Sequence, residues 1–261
     1  QLTKTMAEDE RISLGPEDTV ALWQGGTDGW NAWVEKNPDA DISFADVDLG
    51  QYRNAPGNYP DVWPFMHFHF PDGRKDFTSA NFGEGGVSFG HTKFGKGLVD
   101  FSFCKFGSGS LDFAYAVFNE AMVRFILTDI GRIGVSFESA KFDKSNLTFA
   151  DAQKQKNEND FTFTNATFTE SHIGNLGDFQ ACRVNFVNAR FKNSSLDLCN
   201  TNFDDCKVDF SATTFEESKL NFKNTNFDDG SINFDSMTCI NSQMNFNSVS
   251  FGQKKFGFDN V

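Results

Sequence analysis

The sequence lacks long hydrophobic runs and cysteine motifs. Its 261 residues contain no apolar stretch near the roughly 18 residues of a membrane-spanning helix. The N-terminal stretch QLTKTMAEDERIS has no apolar signal core. The five cysteines are odd in number and show no CxxC spacing, which argues against a disulfide framework and against a zinc site. We therefore expect a cytoplasmic protein without a membrane span.

Positive charge is also scarce. The chain has 23 Lys and Arg residues against 36 Asp and Glu residues, for a net charge of −13. Residues 1–74 hold 13 of the acidic and 5 of the basic side chains, so most of the excess acid lies in this N-terminal quarter. Because phosphate binding needs clustered Lys and Arg, we do not expect nucleic acid as a direct partner.

Proline, tyrosine and tryptophan are few, with 6, 3 and 4 residues, whereas phenylalanine occurs 33 times and glycine 22 times. A bias this strong towards one aromatic residue indicates a structural demand that is repeated along the chain. Many glycines and few prolines are typical of a chain with many tight turns and little linker.

The chain aligns with itself when it is written in lines of twelve. Examples are VSFGHTKFGKGL from 87, LDFAYAVFNEAM from 111, VDFSATTFEESK from 208 and LNFKNTNFDDGS from 220. Each unit contains an apolar-x-Phe segment, two joining residues, a small-x-Phe segment and four further residues. The phenylalanines therefore alternate at steps of five and seven.

The outer two residues of each segment share one face of a strand, and the middle residue points the other way. Val208, Phe210, Thr213 and Phe215 are thus predicted to point inward. A three-residue strand cannot bury its apolar face alone, but stacked copies can, which predicts a solenoid rather than an ordinary sandwich. The predicted core ladder consists of Phe89, Phe94, Phe101, Phe106, Phe113, Phe118, Phe137, Phe142, Phe186, Phe191, Phe210, Phe215, Phe222, Phe227, Phe246 and Phe251.

The repeat is compatible with two coil lengths, 12 residues arranged as two sides or 24 residues arranged as four sides. A two-residue joint is too short to cross a phenylalanine-filled core about 10 Å thick, so it must be a corner. The string NTNFDD recurs at 200–205 and 224–229, a separation of 24. We therefore favour an all-β, four-sided parallel β-helix of about 24 residues per coil.

Several hexapeptides follow the pattern F-x-x-A-x-F, namely FTSANF (77–82), FESAKF (137–142), FTNATF (163–168) and FVNARF (186–191). This pattern resembles that of pentapeptide-repeat proteins, and GWNAWVEKNPDADISFADVDL (29–49) is similar to the N-terminal region of many members. The resemblance covers about residues 20–258 and implies a right-handed four-sided β-helix. The steps of five and seven depart from the strict five-residue step of that family.

The predicted organisation is a tail and helical cap over residues 1–40, followed by a solenoid over 41–261. Pro16 suits a first helical position and Asn37-Pro38 a helix end, with Trp23, Trp30 and Trp33 as cap residues. A loop at 50–62 and irregular segments at 150–160 and 172–183 interrupt the repeat. The last coil could associate end to end with another copy, since an open coil end is an exposed sheet edge.

Candidate chemical groups are few. His67 would stack on His91 in a 24-residue coil, but two imidazoles without a third ligand do not predict a metal site. Cys104 and Cys239 fall at inward positions, whereas Cys199 and Cys206 fall at corners where they could be exposed. Asp204-Asp205 and Asp228-Asp229 would stack at another corner, but paired carboxylates without a pocket do not make an acid–base catalyst. We expect no cofactor and no enzymatic activity.

Two classes of function remain. The first is a non-catalytic scaffold that binds a protein partner, whose identity the sequence does not reveal, or equally an effector or accessory subunit of a larger complex. The second follows only from the resemblance, because quinolone-resistance pentapeptide proteins bind DNA gyrase as acidic mimics of DNA. Lys93, Lys105, Arg124, Lys141 and Arg190 are predicted to point outward and would interrupt a phosphate-like strip, which favours the scaffold.

Overall fold

The computed structural model describes residues 11–53, 62–150, 153–154, 160–174, 176–177, 179–180 and 182–252. The tip of the predicted loop 50–62, most of the predicted irregular segment 150–160 and the end of the predicted last coil lie outside the described residues. Two α-helices stand at the N-terminal end, α1 at Pro16–Gln24 and α2 at Gly26–Lys36, and a short 3-10 helix occupies Leu49–Tyr52. Among the described residues, no helix is long and apolar enough to span a bilayer.

The rest of the described chain forms short parallel strands stacked in sheets, which we name A, B, C and D in the order in which the chain visits them. Sheet A contains Ser13–Leu14, Asp41–Ser43, Lys75–Asp76, Gly97–Asp100, Ala121–Arg124, Asn146–Thr148, His172–Gly174, Ser195–Asp197, Lys219–Asn221 and Gln243–Asn245. Sheet C contains Val62–Pro64, Gly86–Ser88, Ser108–Asp112, Asp129–Ser136, Phe161–Thr162, Arg183–Asn185, Lys207–Asp209 and Ser231–Asn233, with Gln153–Lys154 paired at its margin.

Sheets B and D complete the coil. Sheet D contains His69–Phe70, Lys93–Phe94, Val117–Asn119, Lys141–Asp143, Thr167–Thr169, Arg190–Lys192, Thr214–Glu216 and Thr238–Ile240. Sheet B is the least regular and contains Phe179–Gln180 and Phe203–Asp204 together with the bridge series Asp48–Asn81–Lys105–Asp129 and Asn202–Asn226–Ser250.

Most strand partners are 24 residues apart in the chain. Phe118 pairs with Phe142, for example, and Leu196 with Leu220. The spacing changes where the repeat is irregular: Lys141 pairs with Thr167 across 26 residues, and Thr167 pairs with Arg190 across 23. Strands also form at 172–174 and 179–180, inside the segment predicted to be irregular. The strands therefore stay paired although one interval is two residues longer than 24 and the next is one residue shorter.

The inward side chains form continuous aromatic ladders. Rings on successive coils lie nearly parallel, with centroids 4.9 Å apart for Phe113 and Phe137 and 4.6 Å apart for Phe191 and Phe215. Such pairs add about 0.5–1.5 kcal/mol each beyond the area they bury. The predicted ladder residues are buried except at the C-terminal end, where Phe246 is half-buried and Phe251 is exposed.

The helices cover the first coil through their tryptophans. Trp23 stacks on Phe65 with ring centroids 5.5 Å apart, and Trp30 stacks on Phe44 at 6.1 Å. The Trp30 indole N–H also donates to the carbonyl of His69 at 2.8 Å. Trp33 packs against the core but is only partly buried. An additional strand at Ser13–Leu14, ahead of α1, pairs with Asp41–Ser43 and extends sheet A.

Short corners join successive sheets along the described chain, and we name them by the sheets they connect. We count as corner residues those that lie between successive inward-pointing side chains, so the longer corners include the ends of the neighbouring strands. In the coil that begins at Gly97 they are the A/B corner at 102–103, the B/C corner at 107–110, the C/D corner at 114–115 and the D/A corner at 119–122. The second residue of each two-residue corner adopts a left-handed conformation, as at Phe103 (φ 60°) and Tyr115 (φ 58°). This region favours Gly and Asn and disfavours bulky side chains.

Candidate functional site

The C/D corner carries an exposed stack of three rings. His67 lies on His91 with centroids 4.9 Å apart, and His91 lies on Tyr115 at 4.8 Å with the two planes within 3° of each other. Ring nitrogens bind a metal through lone pairs in the plane of the ring, so face-to-face imidazoles do not converge on one ion. No group of three or more His, Cys, Asp or Glu residues able to hold a metal occurs in the described part of the chain. The stack is therefore better suited to contact a partner than to bind a metal.

The A/B corner carries an apolar pair. Phe103 and Leu127 occupy equivalent left-handed positions on successive coils, with 51% and 44% of their surface exposed. Later coils place Asn200 and Asn224 at this position, where the amide of Asn224 donates to the Asn200 side chain at 2.9 Å. The C/D corner shows the same contrast, since Tyr115 is 51% exposed and later coils have Asn165 and Asn188. Among the described corners of these two series, the large exposed apolar side chains at left-handed positions are those of Phe103, Tyr115 and Leu127, whereas later coils have asparagine, serine or, at residue 212, alanine.

Sheet D presents an outward row that we name the D row. Its members are paired in register and consist of His69, Lys93, Val117, Lys141, Thr167, Arg190, Thr214 and Thr238. Burial lowers the pKa of His69, and the neighbouring charge of Lys93 lowers it further, whereas Glu35 opposes both. The row therefore contains Lys93, Lys141 and Arg190 and no acidic residue.

A groove of about 380 Å³ lies on the D row. It is lined by Thr167, Thr169, Arg190, Lys192, Thr214 and Glu216, together with Phe168 and Phe191. Lys192 forms an ion pair with Glu216 at 3.3 Å on the margin of the groove. Hydroxyl groups and two cations give this groove the hydrogen-bond donors that an anionic group requires.

A second groove, of about 320 Å³, surrounds a hydrogen-bonded histidine and serine. The Nδ1 atom of His172 lies 2.7 Å from the Ser195 hydroxyl, beside Glu170 and Glu217. The ring fits because residue 174 is glycine: a Cβ atom there would lie 2.7 Å from Nε2 of His172. Hydrogen-bonded Ser and His side chains are one element of nucleophilic catalysis. This pair lies on an exposed corner, where water has access to both groups.

Lys75 occupies an inward position that sequence reasoning missed. It pairs with Ile42 and Val99 in sheet A and is fully buried. Its Nζ donates to the carbonyls of Pro71 at 2.9 Å and Gly95 at 3.1 Å, and also to that of Lys96. Burial lowers the pKa of Lys75 to about 7, with Asp72 and Asp41 opposing the shift and Arg11 adding to it. The three carbonyls favour the charged form, so they also oppose the effect of burial.

The cysteines differ partly from expectation. Cys104 is buried, as predicted for an inward position, and burial raises the pKa of its thiol. Cys206 was expected at an exposed corner, but it is buried, and its sulfur lies 3.1 Å from that of Cys182. Cys239 was expected inside, but it is exposed because it occupies the last described rung in register with Phe215. Corner position alone therefore does not determine whether a side chain is buried.

The sequence does contain signals for the residues that were missed. Lys75-Asp76-Phe77 precedes Val99-Asp100-Phe101 by 24 residues, so alignment at that spacing puts Lys75 at an inward position. The same step leads from His91 to Tyr115 and from Lys93 through Val117 to Lys141. The hydrogen bond between His172 and Ser195 follows a 23-residue spacing, which a strict period does not predict.

Comparison with known proteins gives limited information. No family model matches the chain, and no curated protein matches it. Among solved structures, HetL matches with a TM-score of 0.22 and 12% identity over 77% of this chain and 92% of that chain. HetL is a pentapeptide repeat protein involved in heterocyst differentiation regulation from the cyanobacterium Nostoc sp.. It belongs to the family that the sequence resembles.

QnrB1, a plasmid-mediated fluoroquinolone resistance protein, is represented by two matching structures. Their TM-scores are 0.24 and 0.25, with 12% and 13% identity over 77% and 71% of this chain and 86% of each QnrB1 chain. At these values the matches say nothing about what this chain binds. The description of the fold rests on the strand pairing within the chain itself.

Proposed function

We propose that this protein is a non-catalytic β-solenoid scaffold that binds other proteins through its corners and outward rows. The proposal includes a four-sided coil of 24 residues, a cap formed by the N-terminal segment and a cytoplasmic location. The odd number of cysteines and the absence of CxxC spacing support that location. The single observation that carries the proposal is the set of exposed apolar residues Phe103, Tyr115 and Leu127 at left-handed corners.

Placing a bulky residue in the left-handed region costs of order 1 kcal/mol or more, and such strain is concentrated at functional sites. The equivalent corners of later coils show that asparagine and serine meet the structural requirement, as at Asn165, Asn188 and Ser236. Folding alone thus does not require an exposed ring at Tyr115 or Phe103. Exposed apolar groups on a rigid rod are typical of a protein-binding surface.

The test is a triple substitution, Phe103→Asn, Tyr115→Asn and Leu127→Asn, with Asn188→Ala and Asn224→Ala as the matched control at later corners. Protein partners would be captured from extracts of the native host at physiological salt and quantified by mass spectrometry. We expect the triple variant to be at least as stable as the wild type and to lose the partners that the control retains. A variant that loses stability and keeps every partner would show that these side chains serve folding only.

A mimic of DNA is the second candidate, and the outward rows give it little support. In sheet A, Asp76 and Asp100 are adjacent, but Arg124 and Thr148 follow them. The D row has cations at three positions. Because a phosphate-like surface needs a continuous series of negative charges, this pattern favours the scaffold. Inhibition of gyrase by the purified protein at physiological salt would reverse that preference.

End-to-end association through the last coil remains part of the proposal. Met244, Phe246 and Val249 are only partly buried there, and Phe251 and Ile240 are exposed. These apolar side chains lie in the last described coil, where a second copy of the chain would bury them. Sedimentation of the wild type and of a Phe251→Lys variant tests this element: a dimer that the substitution dissociates is the expected result.

A further inference from the structure

The D row differs from the other outward rows in its charge. Acidic residues occur in the rows of all three other sheets, namely Asp76, Asp100 and Asp197 in sheet A, Asp48 and Asp129 in sheet B, and Asp112 and Asp209 in sheet C. The D row has none, although the whole chain carries a net charge of −13. A cationic row on an acidic protein is a local feature that the overall composition does not produce.

The cations of the D row are spaced regularly. Lys93 and Lys141 are separated by the rung of Val117, and Lys141 and Arg190 by the rung of Thr167. Rungs of a parallel sheet are about 4.8 Å apart, so successive cations stand about 10 Å apart along the rod. All three side chains are exposed, whereas Val117 and Thr167 are half-buried. The row is therefore a straight series of exposed cations that are separated by half-buried, uncharged residues.

The groove at Arg190 adds a second, independent feature. It lies at the C-terminal end of this series and places Arg190 beside the hydroxyl groups of Thr167, Thr169 and Thr214. Lys192 and Glu216 also line the groove and pair with each other at 3.3 Å, so Arg190 is the cation of the groove that has the greater capacity for a bound anion. A guanidinium can bind a carboxylate in a bidentate manner, and threonine hydroxyls can donate to the same group. Arg190 and the threonine hydroxyls can therefore bind the side-chain carboxylate of a bound segment.

We propose that the D row binds an extended acidic segment of a protein partner, with carboxylates at Lys93 and Lys141 and in the groove at Arg190. This inference rests on the proposed scaffold function and specifies one of its binding surfaces. Charge complementarity identifies the partner as acidic. The width of the row identifies the bound segment as a single extended strand. Acidic residues lie beside the row, since Asp143 and Glu216 follow Lys141 and Thr214 by two residues in the same strands, and Glu120, Glu170 and Glu217 lie at the D/A corner. The many phosphates of a nucleic acid duplex would approach those carboxylates.

The test uses a fluorescein-labelled peptide, (Glu-Gly)6, with (Lys-Gly)6 and single-stranded oligothymidylate as comparison probes, in fluorescence anisotropy titrations at two salt concentrations. The binding variant is Lys141→Glu/Arg190→Glu. The control is Lys105→Glu/Arg124→Glu, which reverses two outward cations of sheets B and A and changes the net charge equally. We expect the acidic peptide to bind the wild type, and the binding variant to lose about tenfold or more in affinity while the control stays within about twofold. Rising salt should weaken binding.

Three outcomes would overturn the inference: no binding of the acidic peptide, equal losses in both variants, or tighter binding of oligothymidylate than of the peptide. Circular dichroism of both variants establishes whether each remains folded. The partner capture described above separates this inference from the scaffold function. If Lys141→Glu/Arg190→Glu captures the same partners as the wild type, the D row is not the surface and the scaffold function stands. If the wild type captures no partner, the scaffold function itself fails.

Discussion

The D/A corner is built in two different ways in the two halves of the solenoid. In the C-terminal half a serine repeats at this corner, at 145, 171, 194, 218 and 242. Each hydroxyl donates to the carbonyl two residues earlier, as Ser194 does to Lys192 at 2.8 Å. Each also accepts from the backbone N–H of the preceding coil, as Ser194 does from Ser171 at 3.1 Å. The serines thus pair one corner carbonyl and one corner N–H in every coil.

The N-terminal half has glycine at the same positions, Gly73 and Gly97. The carbonyls that serine would pair there, those of Pro71 and Gly95, instead accept from the single ammonium group of Lys75. Lack of space explains why glycine replaces serine at this corner, because a Cβ atom at Gly73 would lie 2.0 Å from the carbonyl oxygen of Ala40. The chain that enters from the cap therefore leaves no room for a side chain at this corner. A long cation reaches the same carbonyls from inside the core.

Arg53 pairs backbone carbonyls at the B/C corner, as Lys75 does at the D/A corner. Its guanidinium donates to the carbonyls of Phe82, Gly85 and Gly86 at 3.0–3.2 Å. The comparison shows that buried corner carbonyls must be paired, and that the means depends on local space. Small polar residues pair the carbonyls where the coils are uniform. A long cationic side chain, buried at Lys75 and half-buried at Arg53, pairs them where the chain from the cap or the 3-10 helix Leu49–Tyr52 crowds the corner.

The largest predicted effect comes from placing serine, as found at the D/A corners of the C-terminal half, at the D/A corner of the N-terminal half. Gly73→Ser places a Cβ atom against the Ala40 carbonyl, and we expect it to lower the free energy of unfolding by about 3 kcal/mol. Urea denaturation measures this. Gly29→Ser on α2 is the matched control, since a Cβ there meets nothing within 4 Å and should change stability little. A Gly73→Ser variant as stable as that control would mean that the corner has room for serine.

Removing the cation is the next largest change. Lys75→Met keeps most of the side-chain volume but leaves three buried carbonyls without their donor, which should cost about 2 kcal/mol. Lys219→Met, an exposed lysine of the same sheet, should have almost no effect in the same urea titration. Equal stability of the two variants would show that Lys75 does not pair the corner.

A single serine in the C-terminal half should matter less, because its neighbours remain. Ser194→Ala removes one donor to Lys192 and one acceptor for Ser171, at a cost of about 1.5 kcal/mol. Ser195→Ala is the adjacent control, whose half-buried hydroxyl contacts the exposed His172. A larger loss for Ser195→Ala than for Ser194→Ala would contradict the role of the serine series.

The smallest predicted effect is a dependence of stability on pH, which the titratable Lys75 should cause and the serine corners should not. Burial lowers the pKa of Lys75 to about 7 in the folded protein, below the ordinary value of the unfolded chain. Between these values the unfolded state binds more protons, so the free energy of unfolding rises with pH. We expect the wild type to gain about 1 kcal/mol relative to Lys75→Met between pH 7 and pH 8. A difference that is constant or falls across this interval would show that the carbonyls outweigh burial.

Much of the fold could be predicted from the sequence because one rule repeats. The apolar-x-Phe and small-x-Phe segments determine which side chains point inward, and stacking then follows from burial. What could not be predicted depends on departures from the repeat. Lys75 breaks the apolar pattern, and its burial is intelligible only once the carbonyls of Pro71 and Gly95 are placed beside it. The burial of Cys206 likewise depends on the irregular chain near Cys182.

The candidate surfaces were less accessible to sequence reasoning than the core. The repeat predicts that its lysines and arginines point outward and interrupt an acidic surface, but it does not reveal which of them share a sheet. Pairing in register separates them, since Lys93, Lys141 and Arg190 share sheet D whereas Lys105 and Arg124 lie on sheets B and A. The charge of a solenoid surface can be interpreted only after each charged residue has been assigned to a sheet.

The most direct test of the account is photo-cross-linking from defined rows in the native host. A benzophenone amino acid would replace Val117, between Lys93 and Lys141 on the D row, or Asn185, on the outward row of sheet C. The account predicts a covalent adduct with a protein from position 117 and none from position 185. An adduct with nucleic acid, equal adducts from both positions, or no adduct from position 117 would contradict it.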